Sequence, residues 1–437
     1  ADYRFTEWTQ LNIRSFGLLS ARDALGNLQQ IGVPDNPNSN RTLISDQFSN
    51  LGAEARLLHR YNFLDSLAAL VVGVRAYDGL TQRQQGLASI SDQPEFQLIN
   101  PEDPEEFDYR FPSNNYSFFA ENLIYLTPKL SLTAGMRVEH IRTDSEGTWK
   151  LNRFDFAGNL VSSTQNFDTT SVRRTFPLFG LGTSYYFKKG LHLYANWSQN
   201  FRSITFSDLR VVNPNFRLDS LITDENGYNA DLGIRGTLFP WLNVDASLFL
   251  LRYNNRIGQY ELPGSTTLFR TNIGNSRHVG VEIFAELEPL KMLGQTPEYA
   301  NLSLFLNLAL TEATYIQSDI TAIQGRRVEY VPNIMLRSGA NYRWKGVKAT
   351  FQVSYLGDQF SDATNSTFNP NALTGVIPAY LVMDFSADYQ LGRFKFSAGV
   401  NNLSNTPYFT RRAESYPGPG IIPATPRSFY GSVGVRI

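Results

Sequence analysis

Arg202, Arg210, Arg217, Arg270, Arg277, Arg326, Arg327, Arg411 and Arg412 all stand within, or at the edges of, segments that separate stretches of regular alternation. A guanidinium presents a planar fork of donors that pairs with carboxylates bidentately, which an ammonium cannot do. The chemistry open to such residues is recognition of an anion. Arg411 and Arg412 are adjacent, follow Tyr408 closely, and share their segment with Pro417, Pro419 and Pro423. Those prolines stiffen the segment and would lower the ordering cost of binding. Pairing with neighbouring acids would occupy the same side chains without any ligand.

Covalent and metal chemistry find less support. Cysteine is absent, so disulfides, thiolate catalysis and cysteine metal sites are excluded within these residues. The histidines His59, His140, His192 and His278 are widely spaced and form no close pair. Each reads as a single polar position on a strand. No Gly-x-Ser-x-Gly elbow, phosphate loop or His-Glu-x-x-His helix occurs, and the chain is not read as an enzyme. Lys and Arg number 39 against 40 Asp and Glu, a net charge of −1, so no bulk attraction to nucleic acid is indicated.

The elements that must carry these residues announce themselves by period. Phe429, Gly431, Val433, Val435 and Ile437 alternate with Ser428, Tyr430, Ser432, Gly434 and Arg436. Phe394, Phe396, Ala398 and Val400 alternate with Lys395, Ser397, Gly399 and Asn401. Successive side chains of a strand point to opposite faces, so each segment has one apolar and one polar surface. The segments run to about ten residues, the length a tilted strand needs to cross a bilayer. Phe and Tyr, 31 and 22 of the 437 residues, suit strands and interfacial girdles. The longest near-continuous apolar run, Leu67 to Val74, is far too short for a membrane helix. The fold class expected is all-β, a transmembrane antiparallel barrel.

The alternation predicts strands near 10–21, 46–60, 66–77, 116–126, 131–142, 176–187, 191–201, 227–238, 242–253, 278–288, 301–311, 335–344, 347–357, 380–390, 393–402 and 427–437. Residues 2–5 read as the end of a further strand, giving 16 to 17 in all. The register of 116–126 is the least tidy, because Glu121 and Asn122 are adjacent. Short connections (127–130, 188–190, 239–241, 345–346, 391–392) alternate with long ones (78–115, 143–175, 202–226, 254–277, 312–334, 358–379, 403–426), and the short turn at 289–300 is enlarged. Tight periplasmic turns and long extracellular loops explain this inequality. Trp8, Trp241 and Trp344 fall at the short-turn ends, where a periplasmic aromatic girdle belongs. Asp231, Arg235, Asn243, Asp245, Asp384, Asp388, Lys395, Asn401 and Arg436 fall on the polar face and must line water or a polar plug. On the outer side, loop arginines could also meet lipopolysaccharide phosphates.

Two stretches resemble a known family. One runs from Arg202 through Asn213-Pro214-Asn215 to Tyr228-Asn229-Ala230-Asp231-Leu232-Gly233. The other contains Asn401-Asn402-Leu403-Ser404-Asn405-Thr406-Pro407-Tyr408 and Pro426-Arg427-Ser428-Phe429-Tyr430. Both are similar to the late barrel of TonB-dependent outer-membrane receptors. Tyr408-Phe409-Thr410-Arg411-Arg412 and Tyr416-Pro417-Gly418-Pro419-Gly420 resemble the ferric dicitrate branch of siderophore receptors. The resemblance implies a barrel of about 22 strands with a plugged lumen. Residues 1–437 would then be the C-terminal part of one barrel domain, and the plug, its TonB box and the first strands would precede residue 1. Ile437 departs from the family's usual terminal aromatic.

What the resemblance implies about function is energised import. A ferric chelate, either ferric citrate or a siderophore complex, binds at the outward mouth, and TonB with ExbB and ExbD displaces the plug. The ligand would meet Arg202, Arg210, Arg270, Arg277, Arg411, Arg412 and Tyr408. No cofactor is expected beyond the transported chelate, and the partners expected are outer-membrane lipid, lipopolysaccharide and a lipoprotein. Two alternatives stand beside it: a passive porin of 16 strands, and a structural barrel subunit of an envelope complex.

Overall fold

The structure is a computed structural model. It describes the chain apart from residues 28–33, 35, 92, 156–158, 189, 210–215, 263–266, 296–299, 371, 414–419 and 437. Arg210, Asn213-Pro214-Asn215, Pro417, Pro419 and Ile437 therefore lie outside the described residues.

Consecutive antiparallel strands make one continuous sheet: Asp2–Arg4, Thr9–Gly26, Thr42–Phe63, Ser66–Leu87, Phe107–Thr127, Leu130–Phe154, Leu160–Lys188, Leu191–Arg202, Glu225–Phe239, Leu242–Glu261, Leu268–Leu287, Ala300–Gln317, Ile334–Trp344, Val347–Leu356, Tyr380–Leu391, Phe394–Asn401 and Ser428–Val435. Each pairs with the next in sequence. Among the described residues, the first and last of these strands are not paired with each other. Every strand expected from alternation is present, and the fragment at 2–5 pairs with Gln10–Asn12.

Alternation sorts the two faces. Leu232, Leu248, Phe429 and Val433 of the apolar set are all more than half exposed, as lipid-facing side chains are in a chain without its bilayer. On the polar face, Arg235 donates to Asp245 at 2.6 Å and Asn196 to Asp231 at 2.9 Å. The 116–126 register is regular after all. Glu121 faces Gly135 on the polar side, and Asn122, on the apolar side, accepts a hydrogen bond from the Tyr61 hydroxyl at 3.0 Å.

Several glycines lie directly opposite an aromatic residue on the next strand. Tyr430 pairs with Gly399 and Tyr194 with Gly233. A Cβ on Gly399 would meet the Tyr430 ring at 2.4 Å, and one on Gly233 the Tyr194 ring at 2.6 Å. The missing side chain lets each ring lie flat across the neighbouring backbone.

One expectation is corrected. The connections 143–175 and 254–277 are not long loops, because the ladders continue through them as far as the pairs Phe154↔Leu160 and Glu261↔Leu268. Strand likewise takes residues 78–87, 107–115 and 312–317. The apolar–polar alternation fades there because both faces meet water or loops, while Thr, Val and aromatic residues still favour extended pairing. The Leu130–Phe154 and Leu160–Lys188 strands, 25 and 29 residues long, far exceed the roughly ten a bilayer requires.

Buried apolar cores sit at the long-loop end. Ile273, Ala313, Tyr315, Ile323, Val328 and Ala363 form one; Phe107, Tyr109 and Phe111 form a second with Trp149 and Phe206; Ile204, Ile222 and Ile257 form a third. Burial of each large side chain contributes about 1.5–3 kcal/mol, which is what fixes the loops to the wall. At the opposite end lie Trp8, Trp241 and Trp344, with the Trp241 ring stacked on Phe239 at 4.9 Å.

Candidate functional site: the long-loop mouth

Residues 203–209 and 216–224 lie across the mouth. A single turn, Phe206–Leu209, carries Phe206 to the Phe111 ring at 5.6 Å and under the Arg83 guanidinium at 5.0 Å. A short strand, Phe216–Leu218, then runs parallel to Leu268–Arg270. Thr271 Oγ1 donates to Asp219 Oδ2 at 2.6 Å, and Asn272 bonds both ways with Thr223. The segment is thus fastened at both ends to different parts of the wall.

Arg202 and Arg270 meet on one carboxylate. Arg202 Nη2 lies 3.0 Å from Asp208 Oδ2, and Arg270 Nη2 lies 2.7 Å from Asp208 Oδ1. Asp208 is fully buried and also accepts from the Thr205 backbone and hydroxyl. Arg202 Nη1 reaches Glu225 at 3.0 Å, and that carboxylate accepts the Ile257 backbone N–H at 2.9 Å. These two arginines therefore brace the segment internally. Arg277 lies at the edge of ion-pair range of Glu312, 4.0 Å away.

Arg411 and Arg412 stand differently. They lie on a small hairpin of Phe409–Ala413 with Gly420–Pro423. Arg411 is exposed. Arg412 donates to the carbonyls of Ala372 at 3.0 Å and Val376 at 2.8 Å, and its guanidinium lies over the Phe409 ring at 5.4 Å. Among the described residues, neither has a carboxylate within ion-pair distance. Burial lowers the Arg412 pKa from its ordinary value, with Tyr330 acting in the opposite sense. Its positive charge is thus only partly compensated. Tyr408 packs on Tyr380 with ring centroids 4.4 Å apart, just below this hairpin.

Sequence reasoning missed three anchors. One is Asp208 itself. A second is the buried trio in which Tyr315 donates to Glu329 at 2.6 Å while Arg256 reaches Tyr315 at 3.2 Å and Glu329 at 3.4 Å. The third is Arg174, which donates to Asp224 and Thr143. None carries a local signature, since apart from Thr205 beside Asp208 the partners come from another strand or loop. Arg326, by contrast, donates to its own loop at Ala322, and Arg327 pairs with Asp358 at 3.2 Å.

Below the mouth the polar wall encloses a cavity of about 690 Å³, lined by His192, Asn196, Asp231, Arg235, His278 and Glu282 among others. A second, of about 560 Å³, reaches from Tyr194 and Asp245 round to Tyr355 and Tyr380. Both are lined by polar and apolar side chains together and present no cluster of metal-ligating side chains among the described residues.

The architecture has clear relatives. The chain superimposes on the ferric citrate transporter FecA with a TM-score of 0.76 at 21% identity, covering 99% of this chain and 60% of that one. For the ferric yersiniabactin uptake receptor FyuA from Yersinia pestis, the TM-score is 0.72 at 16% identity, covering 99% and 59%. For the copper transporter OprC, it is 0.71 at 16% identity, covering 99% and 63%. The chain thus spans about three-fifths of the length of these proteins, and at such identities the likeness speaks for the fold. No curated protein sequence matches. The family described as TonB dependent receptor-like, beta-barrel, matches residues 1–403, and the chain, an all-β sheet of long antiparallel strands, belongs to that outer-membrane family.

Proposed function

We propose that this chain forms the barrel wall and mouth of an outer-membrane transporter that imports an anionic ferric chelate, ferric citrate or a siderophore complex. In this reading the long-loop end faces outward, and import is driven through TonB, ExbB and ExbD by displacement of a plug that fills the polar lumen. The observation that carries it is the Arg411–Arg412 pair. It sits at the mouth, is stiffened by bonds to Ala372 and Val376, and lacks a carboxylate partner among the described residues. An anionic ligand would supply the missing charge, and the fork geometry suits carboxylates. Tyr408 lies at the base of the same hairpin as a neutral contact. Arg202 and Arg270 support the mouth through Asp208, and Arg277 stands beside Glu312. Membership of the TonB-dependent receptor family favours energised import over a passive porin or a purely structural barrel.

The test is uptake of radioiron citrate by cells that express the full-length protein as their only candidate carrier. Uptake should stop with a proton uncoupler. It should also fall in the Arg411→Ala/Arg412→Ala double variant, with binding weakened about thirtyfold, the loss of about 2 kcal/mol for one charge-assisted contact. Uncoupler-insensitive passage of small neutral solutes would favour the porin, and unchanged binding in the double variant would remove this site.

A further inference from the structure

The sheet splits above Gly180. Up to that point the Leu160–Lys188 strand pairs with Leu130–Phe154 on one side and Leu191–Arg202 on the other, the last pair on the second side being Gly180↔Ser198. Beyond it, Leu191–Arg202 follows Glu225–Phe239 away, while residues 162–175 continue to pair only with 140–153. Among the described residues, the other edge of residues 162–175 is left open.

Two contacts fix which backbone groups face that edge. The Tyr186 N–H donates to the Lys129 carbonyl, so even-numbered residues bond to Leu130–Phe154. The Phe179 N–H, odd-numbered, donates instead to the Gln199 side chain. The odd-numbered residues from Ser163 to Thr175 therefore present N–H and C=O groups outward, at intervals of about 6.8 Å along about 40 Å of strand. Among the described residues no backbone group pairs with them. Three usual means of blunting such an edge are missing, since residues 162–175 contain no Lys, no Pro and no register shift. Pro177, just below, occupies an odd position, where its missing N–H costs no ladder bond.

The side chains beside the edge are also unequal. On the inner face, Arg174 is held by Asp224 and Thr143. On the outer face, Phe167 is 70% exposed, and Arg173 is exposed beside its cross-strand partner Arg142. Asp144 accepts from Arg142 at 2.7 Å, whereas Arg173 has no acid partner among the described residues.

We infer that this edge docks an extended segment of another protein, which adds as a strand and sets an acidic side chain against Arg173 and an apolar one, six positions away, against Phe167. A row of alternating donors and acceptors at strand spacing is matched by another extended backbone. A second copy fits worse. Two copies in one membrane, related by an axis along its normal, would set each outward N–H and C=O against its own equivalent, donor facing donor and acceptor facing acceptor.

The probe is a fluorescent Thr/Val-rich peptide of about 13 residues with Glu and Ile six positions apart, added to the full-length protein in lipid nanodiscs. Without peptide, the odd amides from 163 to 175 should exchange fast and the even ones slowly. With it, the odd amides should slow about a hundredfold. Thr169→Pro removes one outward N–H and should abolish binding. Arg173→Glu leaves the backbone intact and should weaken binding about fivefold, with recovery when the peptide Glu is changed to Lys. Odd amides already slow without peptide, binding indifferent to both substitutions, or protection that grows with protein concentration alone would each overturn the inference, the last in favour of a second copy.

Discussion

The rings of Phe206 and Phe111 lie 5.6 Å apart, although Phe206 follows the Leu191–Arg202 strand and Phe111 belongs to Phe107–Thr127. This contact carries Phe206–Leu209 inward, past the Leu130–Phe154 and Leu160–Lys188 strands. Phe48 and Arg83 complete the pocket around the same ring.

Phe206→Ala should release that segment without unfolding the wall. Phe206 is only partly buried, so the cost is about 2 kcal/mol, below the range for a fully buried aromatic. Hydrogen exchange should speed up across 203–224 and remain unchanged in the Ala300–Gln317 and Ile334–Trp344 strands.

Asp208→Ala should loosen the same segment by a different route. Its loss leaves Arg202 and Arg270 without their shared acceptor, and because both arginines are partly exposed the penalty is about 2 kcal/mol. Trypsin should then cut within 203–224 at concentrations that spare the parent protein.

Glu106 predicts a pH dependence. It accepts from Gln85 at the base of the 88–106 loop, and burial, opposed by that bond and reinforced by Glu105, raises its pKa to about 7. An acid whose folded pKa is raised binds its proton more tightly in the folded loop. Its contribution is therefore full below the unfolded value, near 4.5, and is lost as pH rises through about 7. Exchange in 88–106 should accelerate over that window, and Glu106→Gln should flatten the profile.

Gly399→Ala should destabilise the C-terminal hairpin of the barrel. The new Cβ would displace the Tyr430 ring from its place across the strand, costing about 1–2 kcal/mol. Combining it with Tyr430→Ala should cost less than the sum of the two, since one contact is lost in both, and unfolding midpoints in detergent would measure the difference.

The strands were legible residue by residue. Phe394 to Asn401 and Ser428 to Val435 announce both their extent and their inner face, because lipid on one side and water on the other impose opposite chemistry on successive side chains. Where water or loops meet both faces, that contrast disappears. Residues 143–154 and 160–175 therefore read as loop and fold as ladder. Residues 116–125 show the reverse, an untidy pattern that folds in continuous register, with Tyr61 satisfying Asn122.

For the arginines, the sequence determined their type and their place beyond the alternating segments, although Arg270 and Arg277 lie on a strand that continues past its alternation. Their partners were decided by tertiary structure alone. Arg202 and Arg270 share Asp208 because the Phe206–Leu209 turn lies between their strands, whereas Arg412, among the described residues, meets the carbonyls of Ala372 and Val376 and the Phe409 ring. Pairing of this kind depends on which loops the closing sheet brings together, at separations where a local period carries no information.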